Sequence, residues 1–210
     1  MTKTSVADSD RLAIHGGEPA LKHPVPSKYP GAMFYGEEEK QGVIEVLDTC
    51  STFRYYGRSV TGKVSQFERE LAQKVGAGYA LGVTSGTAAV KVAVEALGIG
   101  PGDEVIVPAV TFLASAGAVV MSRAVPVFAD VDESLGLDPD ALAARITKYT
   151  KAIMPVSIQG VPYRADAIVK VAREHGLKIV EDVAQGLGAS YHGKPLGTWG
   201  DIGAFSLQLN

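Results

Sequence analysis

Cysteine is nearly absent. The only one is Cys50, which excludes an internal disulfide framework and a cysteine-built zinc site and fits a reducing cytoplasm. No stretch reaches the roughly 18 uninterrupted apolar residues that a membrane-spanning helix needs. Met1–Asp10 has no apolar core, so it does not read as a signal peptide. Neither sign of charge is in excess: 20 basic residues stand against 23 acidic ones, for a net charge of −3. A dedicated nucleic-acid binder needs a basic face to neutralise phosphates, so that class is set aside. His15, His23, His175 and His192 lie far apart with no metal-ligand spacing, and no metal is expected. His175 reads as a cation near a helix C-terminus. There is no Gly-x-Ser-x-Gly elbow, no Walker loop, no internal repeat and no low-complexity tract.

What is present reads as an ordinary globular chain, 46% hydrophobic and 20% charged over 210 residues. Residues 1–35 carry Pro19, Pro24, Pro26 and Pro30 with Gly16, Gly17 and Gly31, and read as an N-terminal arm. From Tyr35 the pattern turns periodic. Glu37–Thr49 and Lys63–Val75 read as amphipathic helices, joined by a polar loop with Arg54, Tyr55, Tyr56 and Arg58. Strands and helices then alternate. Strands are expected at Tyr79–Val83, Glu104–Val107, Val125–Ala129, Ala152–Val156, Lys178–Glu181 and Gly203–Leu207. Helices are expected at Gly86–Leu97, Thr111–Met121, from Pro139 to Ile146 behind an Asp138 cap, and at Arg164–His175. Gly98-Ile99-Gly100-Pro101-Gly102 follows a helix rather than a strand and reads as a helix stop and turn. The alternation predicts an α/β fold, a mostly parallel sheet covered by helices on both faces.

In such a sheet, ligands bind beyond the carboxyl ends of the strands. Thr84-Ser85-Gly86-Thr87 lies at one of these ends and opens a helix, a combination that cradles phosphate. It equally suits a plain helix N-cap. Phe112 lies just past another strand end, placed either to stack on a flat ring or to join the core. Glu181 and Asp182 are costly to bury without partners. Asp182 can pair with a cationic ligand nitrogen, or serve as a helix cap or a solvated loop carboxylate, and Gln185 shares its site if the segment starts a helical turn. Ser206 needs a partner in its apolar strand, either a phosphate oxygen or a backbone carbonyl.

Taken in order, Thr84-Ser85-Gly86-Thr87, Pro108-Ala109-Val110-Thr111-Phe112, Glu181-Asp182-Val183-Ala184-Gln185 and Gly200-Asp201-Ile202-Gly203-Ala204-Phe205-Ser206 resemble the DegT/DnrJ/EryC1/StrS aminotransferases. These are pyridoxal 5'-phosphate enzymes, acting mostly on keto-sugars and cyclitols. The resemblance implies the large domain of a fold-type-I aminotransferase over residues 36–210, with a C-terminal small domain outside the chain. It implies that Ser85, Gly86, Thr87 and Ser206 hold the cofactor phosphate, Phe112 stacks on the ring, Asp182 bonds the ring nitrogen and Gln185 the ring hydroxyl. The Schiff-base lysine is expected immediately after Asn210. Tyr56 and Arg58 are candidates for substrate contact, with a solvated surface loop as their other reading. The two loop arginines, Arg54 and Arg58, also suit a phosphorylated or nucleotide-linked sugar. Small-molecule partners are implied, a glutamate or glutamine amino donor and a keto-sugar or keto-cyclitol acceptor. A cytoplasmic homodimer with the site at its interface is also implied. Two other family activities stay open: a pyridoxamine-phosphate deoxysugar dehydratase and a non-catalytic regulatory relative. One departure concerns the substrate side: Ser157 stands where many family members carry histidine.

Overall fold

The computed structural model describes residues 11–23, 34–50, 52–56 and 62–208. The chain divides into a small unit ending at Glu45 and a large unit, Val46–Gln208. In the small unit the described residues form a 3-10 turn, Ala13–His15, closed by Gly16 at φ 91°. They also form most of helix α1 (Glu37–Asp48), whose first turn carries Glu37, Glu38 and Glu39 at the positive end of the helix dipole.

The large unit is an open five-stranded sheet. Its strands are β1 (Glu104–Pro108), β2 (Val125–Ala129), β3 (Thr150–Ile153), β4 (Lys178–Val183) and β7 (Ile202–Phe205), in the order β2-β1-β3-β4-β7. Every pairing in it is parallel. The expected α/β class is therefore present. Helices α2 (Lys63–Val75), α3 (Gly86–Ala96), α4 (Leu113–Met121), α5 (Pro139–Ala143) and α6 (Ala165–His175) complete the unit. A short antiparallel hairpin, β5 (Ser190–Tyr191) with β6 (Lys194–Pro195), was not foreseen.

Strand alternation sends residues to two separate cores. Val105, Val107, Ala152, Met154, Val180 and Ala204 pack with Val90, Val94, Ala118 and Val119 of α3 and α4. Ile106, Ile153, Ile179 and Val183 pack on the other face with Ala165, Ile168 and Ala172 of α6 and with Leu137, Leu142 and Tyr163. Both faces of β1 are dry: Val105, Ile106 and Val107 are each 0% exposed. That is why their run is apolar without alternation.

Local signals set several boundaries as expected. Asp138 accepts a hydrogen bond from the Asp140 amide at 3.0 Å, with Pro139 behind it at the first helical position. The helix it caps ends at Ala143, short of Ile146. Gly98 (φ 76°) and Gly102 (φ 89°) make the left-handed turns after α3. His175 lies in the last turn of α6.

One expected strand is missing. Tyr79–Val83 joins no sheet among the described residues. The backbone of Gly82 is paired instead by side chains: its amide donates to Glu68 Oε1 (2.6 Å) and its carbonyl accepts from Arg54 Nη1 (3.2 Å). A cleft of about 1140 Å³ lies on this side, lined by Leu81, Val83, Ser85 and Gly86 and by Ile202 and Ser206. A strand-forming sequence without a strand neighbour has no ladder to join.

Candidate active site

The sheet's strand order reverses between β1 and β3, so the carboxyl edge there is the crevice where this architecture takes ligands. The alternation that builds the two cores also sorts the site. Asp182 follows Val180 toward the α3/α4 layer, and Ser206 follows Ala204 toward the same layer. Asp182 pairs in register with Ala204, so β4 and β7 deliver both side chains to one region.

Asp182 is 4% exposed. Its Oδ2 accepts from the Ser115 hydroxyl at 2.7 Å and its Oδ1 from the Ala184 amide at 3.1 Å. Burial pushes its carboxyl above the usual carboxylate range, and the bonds from Ser115 and Ala184 partly offset that rise. Ser115 in turn lies 2.7 Å from Thr111 Oγ1, one turn earlier. Between them in sequence, Phe112 occupies the N-cap of α4 and is 64% exposed. It is not a core aromatic, and its ring is open to a ligand.

The α3 N-terminus forms the second part of the site. Ser85 is the N-cap, and its Oγ accepts from the Ala88 amide at 3.1 Å. The capping reading is therefore correct as geometry, and it is compatible with anion binding. The capping oxygen keeps its own proton to donate, and the first amides of the helix point the same way. Gly86 meets Ser206 closely: a Cβ at position 86 would stand 2.9 Å from Ser206 Cβ and 3.2 Å from its Oγ. The cup and the end of β7 are thus in contact through a glycine that leaves room for it.

Gln185 is exposed, in the turn after β4. Its Oε1 accepts from the Gln159 amide at 2.6 Å. That bond fixes which end of the side-chain amide is the acceptor and leaves the NH2 end to donate. Ser157 lies beside this turn. It is 0% exposed, and its Oγ has no hydrogen-bond partner among the described residues. A Cβ at Gly186 would come within 2.4 Å of that oxygen, so the 157 and 186 loops are packed tightly.

Glu181 does different work from Asp182. It is 0% exposed and points into the opposite core. Its carboxylate accepts from the Tyr163 hydroxyl and from the amides of Gly197, Trp199 and Gly200, each amide at 2.7 Å. Burial first, then the Glu181 charge, drive the Tyr163 phenol far above its ordinary value, so it stays a donor. Glu181 ties down the connection that leads into β7.

The loop residues behave unevenly. Tyr56 is 65% exposed and stacks on Phe53 with ring centroids 4.7 Å apart. Arg58 lies outside the described residues. Arg54 is committed to Glu68 and to the Gly82 carbonyl, with both charged side chains largely buried. That geometry removes it from the substrate-phosphate role open to it in the sequence. Ser115, Glu68 and the hub role of Glu181 were missed. The available signals were a hydroxyl four residues after Thr111 in a small-residue helix, and a lone acid on the apolar side of α2.

An open parallel sheet, with a buried carboxylate, an exposed aromatic and a serine-capped helix N-terminus at its carboxyl edge, places the chain in the class of fold-type-I aminotransferases. Within that class, the chain belongs to the DegT/DnrJ/EryC1/StrS aminotransferase family, which it matches over residues 35–209. It is 40% identical to 3-amino-5-hydroxybenzoate synthase of Amycolatopsis mediterranei over 86% of this chain and 46% of that protein. It is 38% identical to L-glutamine:2-deoxy-scyllo-inosose aminotransferase of Streptomyces kanamyceticus over 95% of this chain and 46% of that protein. The crystal structure of 3-amino-5-hydroxybenzoic acid synthase superposes with a TM-score of 0.82 at 39% identity, covering 90% of this chain and 47% of that one. The chain spans about half the length of the curated relatives it matches.

Proposed function

We propose that this chain is the cofactor-binding part of a pyridoxal 5'-phosphate-dependent aminotransferase. It would move an amino group from glutamate or glutamine to a keto-sugar or keto-cyclitol. The observation that carries the reading is Asp182, a carboxylate kept 96% from solvent, whose two known bonds come from neutral donors. A buried carboxylate without a cationic partner is costly, and a protonated ring nitrogen is the partner that makes the burial useful.

The residues fit the group. Ser85, Gly86 and Thr87 offer amides and a hydroxyl to the phosphate, and Ser206 adds a second hydroxyl across the Gly86 contact. Phe112 presents its ring face, and the free NH2 of Gln185 suits the ring hydroxyl. Bound there, the cofactor supplies an electron sink for amino-group transfer. The chain's part is to orient the ring, hold its nitrogen protonated through Asp182 and exclude water with Phe112. The lysine placed next after Asn210 by the family resemblance would act as acid and base. Tyr56 and Arg58 would meet the substrate. A homodimer belongs to the same reading, and the exposed Phe53, Tyr55 and Tyr56 supply apolar surface for such a contact.

The test is half-reaction kinetics of the whole protein with glutamine and glutamate. A panel of keto-cyclitols, free keto-sugars and nucleotide-linked keto-sugars follows. Wild-type protein should aminate at least one polyol ketone. Asp182→Asn should be slower by about a hundred- to a thousand-fold, the loss of roughly 3–4 kcal/mol of stabilisation of developing charge. Turnover of simple keto acids alone, or an Asp182→Asn rate within threefold of wild type, would overturn the reading.

A further inference from the structure

We propose that Ser115 is a positioning residue for Asp182, and that Thr111 orders it by donating to its oxygen. This rests on the cofactor reading for its use, but the pairing itself stands on the geometry. Ser115 is 0% exposed on α4, and its hydroxyl donates to Asp182 Oδ2 at 2.7 Å. A serine has one proton to give. With that proton committed to the carboxylate, the 2.7 Å contact with Thr111 Oγ1 must be a bond in which Thr111 donates. The chain of bonds therefore runs Thr111 to Ser115 to Asp182, and its last bond is strongest while Asp182 is ionised.

Geometry gives this chain a consequence. The Ala184 amide fixes Oδ1 and Ser115 fixes Oδ2, so the carboxylate plane is held from both sides. Each oxygen retains accepting capacity for one further donor. Thr111 and Ser115 flank Phe112, so the residue that faces a ring and the residues that aim the carboxylate come from a single turn at the start of α4. Of the elements around Asp182, α4 and β7 carry no ionisable side chain, β3 carries only the exposed Lys151, and α3 carries Lys91 and Glu95, which pair with each other. On β4, Glu181 faces Tyr163 in the opposite core, and Lys178 pairs with Asp201. The Ser115 hydroxyl is thus the side-chain donor that sustains the charge on Asp182.

Two measurements test this on the whole chain. The first is equilibrium binding of pyridoxamine 5'-phosphate and of its 1-deaza analogue, which lacks the ring nitrogen. Neither ligand needs a covalent link. Ser115→Ala should weaken the natural ligand roughly ten-fold, the size of one hydrogen bond to a charged group, and leave the deaza analogue within about twofold. Thr111→Val should act in the same direction but less. Equal weakening of both ligands would mean that Ser115 only supports the fold, and would overturn the proposal. The second is the melting temperature of the cofactor-free chain against pH. Asp182 has a raised folded pKa, and losing Ser115 raises it further. The deficit of Ser115→Ala relative to wild type should therefore be larger at pH 8, where the carboxylate is charged, than at pH 4. In an Asp182→Asn background it should not change with pH. A deficit independent of pH in both backgrounds would overturn the pairing. A pH-dependent deficit in a protein that binds neither ligand would keep the pairing and overturn the cofactor reading alone.

Discussion

Asp182 lies near enough to the core to be desolvated and near enough to the sheet edge to meet a ligand. Burial raises its pKa above the value of an unfolded aspartate, and the Ser115 and Ala184 bonds offset only part of the rise. The sign of the pH effect follows. A group whose folded pKa is raised contributes stability that is fully present below the unfolded pKa and is lost as pH rises through the folded pKa. Asparagine does not titrate. In the cofactor-free chain, the melting temperature of Asp182→Asn minus that of wild type should therefore rise between pH 4 and pH 8. Calorimetric scans across that range check it, and a constant difference would show that Asp182 ionises as freely in the fold as in the unfolded chain. Bound cofactor should shrink the rise, because a cationic partner favours the charged form.

At the scale of elements, β4 holds both functions in successive residues because a strand turns alternate side chains to opposite faces. Asp182 faces α4, and Glu181 faces Tyr163 and the Gly197–Gly200 connection. Glu181→Ala would leave a buried hydroxyl and three backbone amides without their acceptor. Each such group costs roughly 1–3 kcal/mol, so the loss should be on the order of 4 kcal/mol or more by urea unfolding. Glu181→Gln should lose less, because its remaining carbonyl oxygen still accepts. A loss under about 1 kcal/mol for Glu181→Ala would show that water replaces the carboxylate without strain.

The same scale shows what the sequence could and could not reveal. Helices such as Lys63–Val75 were legible to the residue, because an apolar stripe of period 3.6 needs no distant partner to be recognised. The strand Val125–Ala129 was equally plain. Tyr79–Val83 has strand composition, yet pairing is a property of two segments, and Arg54 and Glu68 occupy the backbone of Gly82 instead. Asp182, Phe112 and Ser206 were legible as candidates because their motifs sit at the ends of β4, β1 and β7, and Ser85 because its motif opens α3. Ser115 was not, because a serine in a helix of small residues has no signal until a carboxylate 67 positions away is seen to receive its proton. Residue type alone did not say which face Glu181 and Asp182 each take, since the register of β4 decides it.

For the whole molecule, the site depends on separate parts of the chain arriving at one edge. The α3 cup follows a segment held by the Arg54–Glu68 pair, Phe112 and Ser115 start α4, Asp182 ends β4, and Ser206 leaves β7. No single motif is sufficient, and the match to the family extends over residues 35–209. The central claim is that these residues form one cofactor site, and a crystal structure of the whole protein with pyridoxamine 5'-phosphate tests it most directly. The account predicts the phosphate against the amides of Gly86 and Thr87 and the hydroxyls of Ser85 and Ser206, the ring on Phe112, and the ring nitrogen within hydrogen-bond distance of Asp182. A ligand bound elsewhere, or one bound here with its ring nitrogen turned away from Asp182, would contradict it.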